Sequence, residues 1–344
     1  MLVVITIIGI LAGLVVTAAL VARRKAKAGA IAVELKSGLE HACIQYKEKF
    51  GEYPPDFAGI TNSNATLSNA AKATIIRHLA KAFPRYVPGT PAGNGKTGWD
   101  GFQDDVSKFW NIDVSKLSPG TALVFWLGGQ PSWLSDSSGT VTLPDGSTKI
   151  ASDKPVTQLL GFSANAVNPF DSSTSRIGPF YDFDISSLGW VNTGTVAGIA
   201  YWSKSQSVTD KSTGPIVYFR AENGNYTVDG AAPPTDPTTI SGPSANVKNE
   251  SQQVWPAVDT RLSHFASIGT GTAIIYAWVN PKLFQIFASG LDQKYATPQL
   301  NKADVDVVAF PTGETYRVDA STGGSSYDDI TNFSSGTLED AMPQ

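Results

Sequence analysis

The chain is poor in the residues that most often carry enzyme chemistry. It has one cysteine, three histidines and two methionines in 344 residues. A lone cysteine closes no intrachain disulfide, so the fold must rest on its core or on bound metal. Cys43 lies beside an apolar stripe and reads as a small packed hydrophobe. Of His41, His78 and His264, only His41 is near it, and an offset of two on a helix points the side chains apart. Gly-x-Ser-x-Gly, His-Glu-x-x-His, phosphate-loop and dinucleotide fingerprints are all missing. Asp182 and Asp184 could be imagined as a glycosidase pair, but alternation on any solvent-facing strand gives the same pattern. Catalysis is not expected.

Charge is also scarce, at 16% of residues with a net of −4. Residues 1–50 carry a net of +4, so the remainder carries −8. A mildly acidic, lysine-poor body argues against nucleic acid as the main partner. Eight tryptophans are scattered without the spacing of a sugar platform.

What is abundant is apolar sequence at the start. From Leu2 to Ala22 there is no charge, and only Thr6 and Thr17 carry a polar side chain. As a helix this run is roughly 30 Å long, which matches the hydrocarbon core of a bilayer. A cleaved signal peptide would have a basic segment first and a shorter apolar core. Here the basic residues Arg23, Arg24, Lys25 and Lys27 come after the run, as befits an uncleaved anchor.

Beyond that cluster, Ile31, Leu35, Leu39, Ala42, Tyr46 and Phe50 recur at spacings of three and four and form one apolar stripe. Gly51 and Pro54-Pro55 supply a stop. One helix is expected over residues 2–50, half in lipid and half laid on a soluble domain.

Met1-Leu-Val-Val-Ile-Thr-Ile-Ile-Gly-Ile-Leu-Ala12, with this amphipathic continuation, resembles the N-terminal segment of type IV pilins and type II secretion pseudopilins. The resemblance covers about the first thirty residues. In that family a basic leader ending in Gly is cleaved to expose Phe-Thr-Leu-Ile-Glu, whose first residue is N-methylated. Met1 stands just after the family's Glu, as expected of an internal or trimmed start. Thr17 stands where the family often has a proline linked to local melting of the helix in filaments.

The resemblance implies a filament subunit that packs Leu2, Ile5, Ile8, Gly9, Leu11, Gly13 and Val16 into a central helix bundle. Gly9 and Gly13 make a Gly-x-x-x-Gly step that allows close helix approach. It also implies an inner-membrane, single-pass stage followed by a periplasmic or cell-surface filament. The implied partners are further copies of the chain, minor pilins, the prepilin peptidase, and an assembly platform with its cytoplasmic ATPase. Charge alone would hold the part after Arg23–Lys27 in the cytoplasm; family precursors overcome this with basic residues in the leader. Two further classes compete with the filament subunit: a membrane-anchored binding module, for polysaccharide or adhesion, that does not polymerise, and a tethered enzyme.

The remainder reads as α+β, an antiparallel sheet domain over 53–344. A second helix is expected over 66–83, with Leu67, Ala71, Ile75, Leu79 and Phe83 on its buried face. Residues 88–101 read as a loop, 104–117 as another short helix, and 122–127 as a buried strand. Hairpins are expected around Asp145-Gly146 and Asn223-Gly224. Residues 229–253 read as a long loop, and 273–279 with 283–288 as core segments. Roughly 120–265 is expected to be an elaborated insertion ahead of a C-terminal sheet over 266–344. Its aromatic segments at 162–170 and 178–184 suggest a binding surface or satellite core under loops.

One constellation carries metal chemistry. Phe287-Ala-Ser-Gly-Leu-Asp292 and, later, Tyr327-Asp-Asp-Ile-Thr-Asn-Phe333 resemble the calcium loop of the major secretion pseudopilin. Calcium takes six to eight oxygens, which loops supply more readily than strands. Asp292, Asp328 and Asp329 would give carboxylates, and Leu291 or nearby backbone would give carbonyls. An N-cap at Asp-Asp-Ile-Thr and an ordinary turn at Leu-Asp-Gln-Lys are the competing assignments.

Overall fold

The computed structural model describes residues 2–60, 65–93, 95–133, 140–142, 148–150, 156–172, 175–191, 198–203, 213–226, 254–262, 264–268, 271–275, 277–296, 308–313, 316, 318 and 323–343. The expected loop at 229–253 and the turn at 145–146 lie outside these residues, as does most of the 296–326 interval.

The first helix runs through α1 (Leu2–Val33), a π-helical stretch (Glu34–Glu40) and α2 (His41–Phe50). It stops at Gly51, whose φ of 81° is the left-handed region and whose N–H donates to the Lys47 carbonyl at 2.6 Å. The stripe predicted from spacing is the buried face. Ile31, Leu35, Leu39, Ala42, Tyr46 and Phe50 are all buried, whereas the apolar side chains from Val3 to Val21 are exposed. One helix thus leads two lives, and it is long and apolar enough to cross a membrane.

Residues Ala65–Ala82 form α3 with Ile75, Leu79 and the following Phe83 buried, close to expectation. The next helix, α4, spans Gly98–Trp110, earlier than the expected 104–117. Asn111 ends it with φ 54°, and a separate 3-10 turn at Val114–Lys116 is capped by Asp113. Inside α4, buried Asp105 accepts hydrogen bonds from the Tyr86 hydroxyl and the Gly89 and Ala92 N–H groups. A carboxylate buried on a helix is thereby paired with the loop that precedes it.

The expected strand at 122–127 is helical instead, with a π-helical stretch over Val124–Gly128. A short, wholly buried apolar run has no periodicity to separate the two forms. The local signal was the turn Ser118-Pro-Gly-Thr121, where Thr121 Oγ1 both accepts from the Ser118 N–H and donates to its carbonyl.

The main sheet has four antiparallel strands: β1 (Val217–Glu222), β2 (Asn225–Tyr226), β3 (Phe284–Ala288) and β4 (Ile330–Thr331), in the order β2-β1-β3-β4. The hairpin at Asn223-Gly224 is as expected, with Tyr226 opposite Ala221. Small antiparallel pairs surround the sheet, including the expected Thr140–Thr142 with Thr148–Ile150. Ala257–Asp259 and Val308–Phe310 pair in parallel.

Both faces of the sheet are covered. Tyr218, Phe284 and Ile286 join a core with the first helix, α3, α4 and Trp126. Val217, Phe219 and Phe287 point the other way, into a second core with Trp255, Trp278, Phe310 and Leu338. Burial on both faces explains why these strands read as continuous apolar runs. β1 lies within the stretch read as an insertion, yet it is a central strand. Phe162, Phe170 and Phe183 of the same stretch belong to the main core; Trp110 donates to the Phe170 carbonyl at 3.0 Å.

Candidate functional site

The aspartates singled out in sequence meet at the end of β3. Gly290 permits the approach, because a Cβ there would lie 2.0 Å from the Asp328 carbonyl oxygen. Asp328 Oδ2 accepts from the Leu291 and Asp292 N–H groups at 2.6 and 2.9 Å. Asp292 in turn accepts from Lys294 N–H at 2.8 Å and Ser325 N–H at 2.7 Å. Asp329 accepts from the Gly290 N–H at 3.3 Å. The Asp-Asp-Ile-Thr segment leads into β4 rather than capping a helix, while Leu291–Gln293 is a turn.

Burial disfavours ionisation of all three carboxyls, and neighbouring carboxyls add to it at Asp292 and Asp329. Burial, then the nearby Asp328, pushes Asp292 up to about 6. Burial raises Asp328 as well, and raises Asp329 further, with both neighbours adding to it. Among the described residues, buried Asp328 Oδ1 meets no group in hydrogen-bonding geometry.

Hard oxygen donors suit calcium rather than a transition metal. Leu291 serves the cluster through its N–H, as a donor to Asp328. Among the described residues no group of three or more His, Cys, Asp or Glu is arranged to hold a metal ion. The loop is thus assembled, with most of its carboxylate oxygens turned to backbone N–H groups.

The other candidates separate. Asp184 Oδ1 accepts from the Ser186 N–H and hydroxyl and caps a 3-10 turn, so it is not on the strand imagined for an acid pair. Cys43 is fully buried, and burial raises its thiol well above the ordinary value.

A polar network escaped the sequence reading. Tyr46 and buried His78 Nε2 share a hydrogen bond of 2.9 Å. Glu52 accepts from Lys81 and Arg220, both at 2.9 Å, and its carboxylate lies 3.5 Å from His78 Nδ1. Asp56 accepts from the Arg220 N–H at 2.9 Å, and burial pushes it up to about 6. His78, then Lys81 and Arg220, hold Glu52 well below the usual carboxylate range, while burial lowers His78. The available signal was position: His78 follows Ile75 by three, on the buried face of α3. The network ties α2, α3 and β1 together.

Thr17 Oγ1 donates to the Gly13 and Leu14 carbonyls, so the apolar helix contains its own polar group. Gly9 and Gly13 have no atom within 4 Å of where a Cβ would stand. Compared with protein-family models, characterised proteins and solved structures, the chain has no match.

Proposed function

We propose that the chain is a structural subunit of a type II secretion pseudopilus or type IV pilus-like filament, assembled through its N-terminal helix. The observation that carries this is the change of environment along one helix. Its first half leaves an apolar surface bare on every side, and its second half is built into the core. An exposed apolar surface of that size needs lipid or other copies of itself.

The glycines add to the case. Each costs a helix about 1 kcal/mol relative to alanine, and among the described residues nothing packs against Gly9 or Gly13 to require it. Close packing against helices of neighbouring copies does require it. In this proposal the subunit waits in the inner membrane, then enters a periplasmic or surface filament with the globular bodies outside. Minor pilins, the prepilin peptidase and the assembly platform are partners by the sequence resemblance. Material sheared from cells tests the proposal: the chain should sediment as polymers. A chain that stays in the membrane fraction, monomeric in mild detergent, would favour the anchored binding module.

Calcium belongs to the same proposal. Asp328 Oδ1, which meets no hydrogen-bonding group among the described residues, would be a ligand beside Asp292, Asp329 and the Leu291 carbonyl, and the ion would offset the crowding of carboxylates. Calcium should then raise the unfolding temperature of the wild-type domain and not of Asp328→Asn. At a hundred times the dissociation constant the gain is about 2.7 kcal/mol. Equal unfolding temperatures with calcium and with chelator would remove the ion from the account.

A further inference from the structure

A groove of about 1040 Å³ opens where α1 meets the globular body. Arg23, Arg24, Lys25 and Lys27 line one wall, and Asp292, Asp328, Glu339 and Asp340 line the other. Leu20 and Val21 lie at the end nearest the apolar run. Among the described residues, no ion pair crosses between the walls.

Its depth is set by the helix. The apolar run ends at Ala22, and burial against the body begins at Ala28. Six residues rise roughly 9 Å, close to the polar layer of one leaflet, roughly 5–8 Å thick. The groove therefore opens among lipid headgroups if the helix spans a bilayer. A basic wall there attracts phosphate. The acidic wall facing it would be repelled by the same phosphate unless a cation stood between them.

We infer that the groove binds the headgroup of phosphatidylethanolamine, with its phosphate on the basic wall and its ammonium beside Glu339 and Asp340, the part of the acidic wall that the calcium proposal leaves free. The acyl chains then follow Leu20 and Val21 into the bilayer. Phosphatidylglycerol offers the same phosphate but no cation, so the acidic wall is what selects. The inference rests on the helix being a membrane anchor, as proposed above.

The test uses the full chain in nanodiscs of equimolar phosphatidylethanolamine and phosphatidylglycerol. EDTA is present so that no divalent cation covers the acidic wall, and the lipids released with the protein are counted by native mass spectrometry. The wild type should retain phosphatidylethanolamine about fivefold over phosphatidylglycerol, the factor conferred by about 1 kcal/mol. The double variant Glu339→Gln, Asp340→Asn should lose the preference and keep the number of lipids bound. Arg24→Gln with Lys27→Gln should lower retention of both lipids.

An inserted wild type that shows no preference, or prefers phosphatidylglycerol, overturns the groove and leaves the anchor standing. So does a preference that survives loss of Glu339 and Asp340. A chain that does not enter nanodiscs overturns the anchor and the groove together. In a lipid-free detergent arm, soluble O-phosphoethanolamine should bind far more weakly than the lipid. Equal binding assigns the site to a free phosphate ester and overturns the lipid.

Discussion

At the residue scale, Glu52 is where charge matters most to the fold. It stands directly after the end of α2 and draws Lys81 of α3 and Arg220 of β1 to one carboxylate. Its folded pKa is depressed, so its contribution to stability is full above the unfolded value of about 4.3 and is lost as pH falls below it. Asp56 has the opposite sign. Its raised pKa means that the folded chain holds a proton the unfolded chain releases, so its contribution is full below about 4 and is lost as pH rises through about 6. Glu52→Gln leaves Arg220 without its partner. The loss at neutral pH should be about 2 kcal/mol, below that of a fully buried pair, because the Glu52 side chain stays 19% exposed. Denaturant titrations of both proteins should show the gap narrowing below about pH 4. A gap that is independent of pH would assign the effect to packing rather than charge.

At the element scale, the first helix has an outer half that is bare and an inner half that is buried in the body. Its inner half should tolerate little change at Leu35, Leu39 or Tyr46, all fully buried. Its outer half should tolerate large apolar side chains as far as the domain is concerned. Gly9→Leu with Gly13→Leu should therefore leave the unfolding temperature of the globular body unchanged while abolishing polymers in sheared material. A fall in unfolding temperature, or polymers that persist, would contradict the separation. Much of this was legible in the sequence, because stripe, stop and basic cluster all obey helical spacing and cap chemistry. The 216–226 hairpin was legible as well, since Asn-Gly suits the turn. Residues 122–127 were not: a run of six apolar residues fits strand and helix alike. The start of α4 was hidden for a related reason. Gly98 reads as loop, and Thr97 caps the helix start with no side-chain hydrogen bond that would mark it. At the aspartate cluster, Gly-Leu-Asp and Asp-Asp were visible in sequence, but the hydrogen bonds from their own backbone were not.

At the scale of the whole molecule, the sheet carries a core on each face. One faces the helix and holds the tryptophans at 110 and 126; the other holds those at 255 and 278. The body is thus built to hold α2 and the end of α1 firmly, while the apolar side chains from Val3 to Val21 stand free of it. Tyr201 and Ser203 extend the hold by hydrogen-bonding to Glu34, at the start of the π-helical stretch. A folded body on a bare apolar stalk suits the filament subunit proposed above. Cryo-electron microscopy of material sheared from cells tests its assembly most directly. Helical filaments containing this chain are expected, with residues 2–22 bundled on the axis and the sheet domains outside. Preparations without filaments, with the chain recovered singly from membranes, would contradict it.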